Sequence, residues 1–193
     1  MNIANKLTIS RIILTFVFMF FLLYFQGFWP KALSLSIFIF AALSDFFDGR
    51  IAKEKNMVTD FGRLMDPIAD KVLVLAAFLA FVQMQLVNSV MVIIIIFREI
   101  LITYLRLFAL NKGKVLSAGR AGKHKTLSQM LVIFFILGFI VFKEAMLAFS
   151  TWNPDWEKFF RQGIDIVMYI IVGLTLYSGL SYLWENRKII TRL

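Results

Sequence analysis

Residues 131–142 read Leu131-Val132-Ile133-Phe134-Phe135-Ile136-Leu137-Gly138-Phe139-Ile140-Val141-Phe142, with no charged or hydrogen-bonding side chain among them. Such a run has no polar face to turn toward water. Extended in both directions it becomes a segment over 127–148, and a helix needs about 20 apolar residues to cross the hydrocarbon of a bilayer. Five comparable segments lie at 10–27, 31–50, 67–86, 89–110 and 164–185. The pattern predicts an all-α fold: a polytopic membrane bundle of six transmembrane helices forming a single domain, 1–193.

Composition agrees. Of 193 residues, 60% are hydrophobic, and the mean hydropathy is +0.80, too apolar for a soluble protein of this length. Cysteine is absent, which excludes a disulfide framework and any thiolate metal site. The net charge of +9 is assigned to a membrane surface rather than to nucleic acid, because cytoplasmic loops of membrane proteins accumulate Lys and Arg. Lys6 and Arg11 precede the first apolar segment without a small-residue cleavage site after it, so that segment reads as a retained helix.

Charge placement orients the bundle. One set of connections carries Lys6 and Arg11; Arg50, Lys53, Lys55 and Arg63; Lys112, Lys114, Arg120, Lys123 and Lys125; then Arg187, Lys188 and Arg192. The alternate set carries Lys31, nothing over 85–89, then Lys143, Lys158 and Arg161 diluted by Glu144, Asp155 and Glu157. The positive-inside rule puts both termini in the cytoplasm. Trp152 and Trp156 suit an interfacial belt on the other side.

One stretch breaks the apolar pattern. Residues 44–71 read Ser-Asp-Phe-Phe-Asp-Gly-Arg-Ile-Ala-Lys-Glu-Lys-Asn-Met-Val-Thr-Asp-Phe-Gly-Arg-Leu-Met-Asp-Pro-Ile-Ala-Asp-Lys. Asp45 and Asp48 are three apart at the end of the second span. Asp66 and Asp70 are four apart at the start of the third. Residues at these spacings share a helix face, so a short connection would bring four carboxylates to one depth. An Asp inside a membrane costs about 2.5–3.5 kcal/mol, hence four cost on the order of 10 kcal/mol, and clustered anions raise one another's pKa. Two divalent ions would neutralise the set. Hard oxygen ligands suit Mg²⁺ or Mn²⁺, and paired ions are a common apparatus for in-line displacement at phosphorus. The plainer reading makes these solvated carboxylates at helix ends, with Asp66 an N-cap ahead of Pro67.

The pattern Asp45-x-x-Asp48-Gly49-x-x-Ala52-Lys53, eight residues, Gly62-x-x-x-Asp66-x-x-x-Asp70 resembles the signature of the CDP-alcohol phosphotransferases. The spacing matches throughout. Lys53 departs from the usual Arg; it keeps the charge and loses the bidentate fork. The resemblance implies that Asp45, Asp48 and Asp66 hold two metal ions, and that Asp70 is both metal ligand and general base. It further implies a CDP-lipid site that includes Gly49 and Gly62, where a side chain would block the nucleotide, with Ala52 and Lys53 beside them. The segment Asn5-Lys6-Leu7-Thr8-Ile9-Ser10-Arg11 resembles the opening of bacterial members, in which Asn5 and Thr8 would join the nucleotide pocket. Without the resemblance, Thr8 reads as a helix cap.

A second polar group lies between spans four and five. Arg98 sits well inside the fourth span, where a charge is expensive and usually functional. Glu99, adjacent in sequence, is expected to face elsewhere on the helix. Arg106, Lys114, Arg120, Lys123 and Lys125 follow, and with Arg98 they are candidates for binding an acceptor that carries phosphate. The plainer reading has the loop charges setting topology and meeting anionic lipid. His124, the only histidine, is read as a loop residue.

The segments Phe97-Arg98-Glu99-Ile100 and Gly122-Lys123-His124-Lys125-Thr126 resemble those of the phosphatidylglycerophosphate-forming branch of the family. That resemblance implies CDP-diacylglycerol as donor, glycerol-3-phosphate as acceptor, a homodimer, and a bacterial plasma membrane with the site facing the cytoplasm. Rival readings are phosphatidylinositol-phosphate, phosphatidylserine or cardiolipin synthesis and, from another class, a divalent-cation transporter or a purely structural bundle. Transport sites lie near the midplane on broken helices, unlike aspartates placed toward one surface.

Overall fold

A computed structural model describes the backbone of residues 3–54, 60–114, 116 and 121–190, and the side chains of 9–44, 71–114, 116, 125–187 and 189–190. Among the described residues all regular structure is helical. Six helices follow one another: α1 (Ile3–Tyr24), α2 (Phe28–Glu54), α3 (Asp60–Gln83), α4 (Ser89–Asn111), α5 (Ala121–Phe149) and α6 (Pro154–Ile190). Each of the six apolar segments falls on its own helix, although α1 stops at Tyr24 and α3 at Gln83, short of the ends expected at residues 27 and 86. Several helices also run beyond the apolar segments into polar sequence. Two helical stretches, Lys125–Phe149 and Pro154–Arg187, are by length and composition apolar enough to cross a membrane.

The described ends are set by local chemistry. Gly27 closes the α1–α2 turn at φ +96°, a backbone conformation that a Cβ would oppose. Asn88 caps α4 by accepting from the Val90 N–H at 2.8 Å, and Gly113 at φ +69° follows its last turn, as glycine commonly does past a helix C-terminus. Asn153 accepts from the Asp155 N–H at 2.9 Å and Pro154 opens α6, where its missing N–H has no intrahelical role.

The helices pack in a ring: α1 against α2 and α3, α2 against α5, α5 against α6, α6 against α4, and α4 back against α3. Contacts between α3 and α5 cross the middle. The main core lies inside this ring, with Phe18, Phe38, Phe78, Phe81, Ile95, Ile133, Ile136, Leu137, Ile164 and Met168 shut away from solvent. Phe16, Phe40, Ile93, Phe97, Leu131, Tyr169 and Leu180 point outward and are exposed. An apolar surface of this kind calls for something other than water around it.

Two expectations change here. Asp66 is not an N-cap: α3 begins at Asp60, so Asp66 and Pro67 lie within its second turn and the helix continues through them. His124 is not in a loop but in the first turn of α5. In both places polar sequence marked the limit of the apolar segment, whereas the backbone hydrogen-bond ladder runs further.

Candidate active site

The signature residues lie on three helices that touch one another. Asp45, Asp48, Gly49, Ala52 and Lys53 occupy the last turns of α2. Gly62, Asp66 and Asp70 occupy the first turns of α3, and Asn5 and Thr8 the first turns of α1. Helix α1 packs along both others, and α2 and α3 also meet directly. Continuous helix on both sides keeps the i,i+3 and i,i+4 spacings meaningful, so each aspartate pair shares a face. The expected gathering of the four carboxylates, and the connection over 55–59, lie outside the described residues, as do the side chains of Asn5, Thr8, Ala52 and Lys53 and the surroundings of Gly49 and Gly62. The donor set fits hard divalent cations: all-oxygen carboxylates, in a chain with no cysteine and a single histidine.

The second polar group can be followed atom by atom. Arg98 and Arg106 are on α4, Lys114 lies just past its end, and Lys123 and Lys125 are in the first turns of α5. Arg120 and the side chain of Lys123 are outside the described residues. Arg98 is largely buried, its side chain 12% exposed. One guanidinium nitrogen, Nη1, donates to Glu99 Oε1 at 3.2 Å, and the other, Nη2, to Ser178 Oγ on α6 at 3.1 Å. A Cβ placed on Gly179 would come within 3.2 Å of Arg98 Cγ. Glycine at that position lets the arginine stem lie against the α6 backbone.

Glu99 corrects the sequence reading. It is a direct partner of Arg98. Adjacent helical residues leave the backbone in divergent directions, but a long arginine side chain can curl across the helix surface to the neighbouring carboxylate. The same carboxylate takes Lys71 Nζ at 3.0 Å through Oε2 and pairs with Lys125 through Oε1. Lys71 also donates to Thr103 Oγ1, and Thr103 in turn donates to the Glu99 carbonyl at 2.7 Å. Lys125 and Glu99 are nearly inaccessible to solvent.

The fold therefore brings Arg98 and Lys125 together around Glu99. The Arg106 guanidinium lies 5.8 Å from the centre of the Tyr182 ring, and Lys114 is only half-buried. Lys71, Thr103 and Ser178 were missed from the sequence. For Lys71 a signal was present, since it directly follows Asp70. Nothing near Ser178 in the sequence marks it as Arg98's partner.

Known proteins supply an independent comparison. The family model for CDP-alcohol phosphatidyltransferase matches residues 1–156. The CDP-diacylglycerol–glycerol-3-phosphate 3-phosphatidyltransferase of Bacillus subtilis (strain 168) is 33% identical over 197 residues, covering 96% of this chain and 95% of that protein. The enzyme of the same name from Rickettsia typhi is 34% identical over 182 residues, 94% of each chain. The one from Pseudomonas fluorescens is 33% identical over 196 residues, 97% of this chain and 93% of that protein. The family model takes in every helix carrying the aspartate signature, and the relatives extend the likeness through α6. This chain belongs to the CDP-alcohol phosphatidyltransferase family.

Proposed function

We propose that the chain transfers the phosphatidyl group of CDP-diacylglycerol to sn-glycerol-3-phosphate, giving phosphatidylglycerophosphate and CMP. The observation that carries this reading is the near full-length similarity to relatives bearing that activity in their names, at 33–34% identity. The complete aspartate signature on α2 and α3 supports it. Asp70 accepts the proton of the acceptor hydroxyl, whose oxygen bonds to the lipid-side phosphorus as the bond from that phosphorus to the CMP oxygen breaks. A positioned base of this kind contributes about 10²–10⁴ in rate.

Asp45, Asp48, Asp66 and Asp70 would hold two divalent ions, Mg²⁺ or Mn²⁺. When bound, such ions neutralise diphosphate charge and stabilise the entering and leaving oxygens. Asn5, Thr8, Gly49, Ala52, Lys53 and Gly62 line the nucleotide side of the site. Arg98 and Lys125, with Arg106, Lys114, Arg120 and Lys123, receive the acceptor's phosphate. Arginine's planar fork suits a phosphate group.

The six helices are proposed to span a bacterial plasma membrane with both termini and the site on the cytoplasmic side. The supports are the skew of Lys and Arg and the apolar outer surface. The homodimer implied by the resemblance belongs to the same reading.

The test supplies purified protein with CDP-diacylglycerol, Mg²⁺ or Mn²⁺ and one acceptor at a time. Phosphatidylglycerophosphate and CMP should appear in equal amounts with glycerol-3-phosphate. Turnover confined to serine, inositol phosphate or phosphatidylglycerol would overturn the acceptor assignment. Metal flux into proteoliposomes without nucleotide, in the absence of any transferase activity, would overturn the enzyme.

A further inference from the structure

We infer that Glu99 is a positioning residue for the acceptor: its buried carboxylate holds the cations of the acceptor pocket in place and ties them to the helix that carries Asp70. This inference rests on the function proposed above and adds to it a residue that the aspartate signature does not include.

Glu99 lies on the buried face of α4, in line with Met91, Val92, Ile95, Ile102 and Ala109. A charged side chain on such a face is costly unless paired. Its three cationic partners come from three helices: Arg98 from α4 itself, Lys71 from α3 and Lys125 from α5. Two of them, Arg98 and Lys125, are acceptor-phosphate candidates from the sequence. The third follows Asp70 directly in the chain.

The contacts around this carboxylate restrict each partner further. Lys71 is held on α4 by Glu99 Oε2 and Thr103 Oγ1. Arg98 is held on its other side by Ser178, while the absence of a Cβ at Gly179 lets its stem lie against α6. A guanidinium has five N–H donors, so the bonds to Glu99 and Ser178 orient Arg98 without exhausting it, and its Nε meets no acceptor among the described residues. A carboxylate that served only to neutralise one buried cation would not need to reach α3, α4 and α5 together. Holding a binding group by supporting contacts lowers the ordering cost when substrate arrives.

Glu99→Asp separates positioning from neutralisation, because it keeps the charge and withdraws it by one methylene. The acceptor KM is expected to rise about tenfold, the scale of one charge-assisted hydrogen bond put out of reach, with the CDP-diacylglycerol KM within about twofold of wild type. Glu99→Gln combined with Lys71→Met is a second, charge-balanced variant that avoids stranding a buried charge. It should remain folded and show the same raised acceptor KM. Inorganic phosphate provides a readout independent of turnover: it should raise the Tm of the wild-type protein and raise that of Glu99→Asp less.

A wild-type acceptor KM in folded Glu99→Asp or in the double variant, or a loss confined to kcat, would overturn the positioning role. Equal phosphate protection of Glu99→Asp and wild type would do the same. Failure of the wild-type protein to use glycerol-3-phosphate would instead sink the reaction proposed above, with phosphate protection still reporting on Glu99.

Discussion

The bundle contains two differently built regions, and α4 and α6 pass through both. The larger is apolar and aromatic. Phe18 meets Phe38 at 5.3 Å between ring centres, and Phe139 stacks on Phe160 at 4.8 Å. Phe78 and Phe81, wholly buried on α3, complete it. The smaller is the polar layer in which Glu99 on α4 gathers its cations and Ser178 on α6 holds Arg98. Beyond it a lesser apolar cluster joins Ile102 and Ala109 on α4 to Leu116 and to Tyr182 on α6. The large core relies on shape, and the buried Lys31 at its margin is bonded to a backbone carbonyl, that of Leu22, whereas the polar layer relies on directed bonds between side chains that fix where charges stand. Losing a ring from the first should cost stability. Losing a partner from the second should cost recognition, because the groups left behind point elsewhere.

The largest effect should come from Asp70→Asn, which belongs to neither region. It is expected to cut kcat by about 10²–10⁴, the usual worth of a general base, while size-exclusion profile and Tm stay near wild type. Residual activity within tenfold of wild type would remove Asp70 from the proton-transfer role.

Next in size, Phe81→Ala should lower stability by about 3–5 kcal/mol, the range for truncating a buried aromatic. Thermal unfolding in detergent should register this, with both KM values unchanged below the transition. A selective change in acceptor KM would break the division between the two regions.

Arg98→Ala should show the opposite signature. It is expected to raise the acceptor KM about 10- to 100-fold, since hydrogen bonds to charged groups are worth about 1.5–3 kcal/mol, and to affect the CDP-lipid KM far less. The reverse split would overturn the assignment of the α4 cations to the acceptor. The smallest change should follow Lys53→Arg, which restores the usual family residue. CDP-diacylglycerol binding should be retained or improved, by at most about threefold given the better phosphate geometry of guanidinium. Complete loss of activity would show that the signature had been misregistered.

The helices were legible because the apolar segments are long and the residues between them are polar. The boundaries were less so. The polar starts of α3 at Asp60 and of α5 at Ala121 resemble connections by composition, although their backbones are helical. Within the candidate site, spacing alone pairs Asp45 with Asp48 and Asp66 with Asp70, because the helix repeat is local and constant. The Glu99 cluster was not legible in the same way: Lys71 and Glu99 are 28 residues apart, and Arg98 and Ser178 are 80 apart. Adjacency in sequence also misled, since it argued against the Arg98–Glu99 pair that the long guanidinium stem makes possible.

By itself, then, the amino-acid sequence determined the six helical segments, the aspartate signature and the membership of the family. All three depend on near-neighbour spacing along the chain. Only the tertiary structure decided which helices are neighbours in the ring, and that one carboxylate on α4 collects cations from α3, α4 and α5. Those outcomes depend on how helix faces fit across the bundle, and packing of that kind is a property of the assembled surfaces rather than of any one segment.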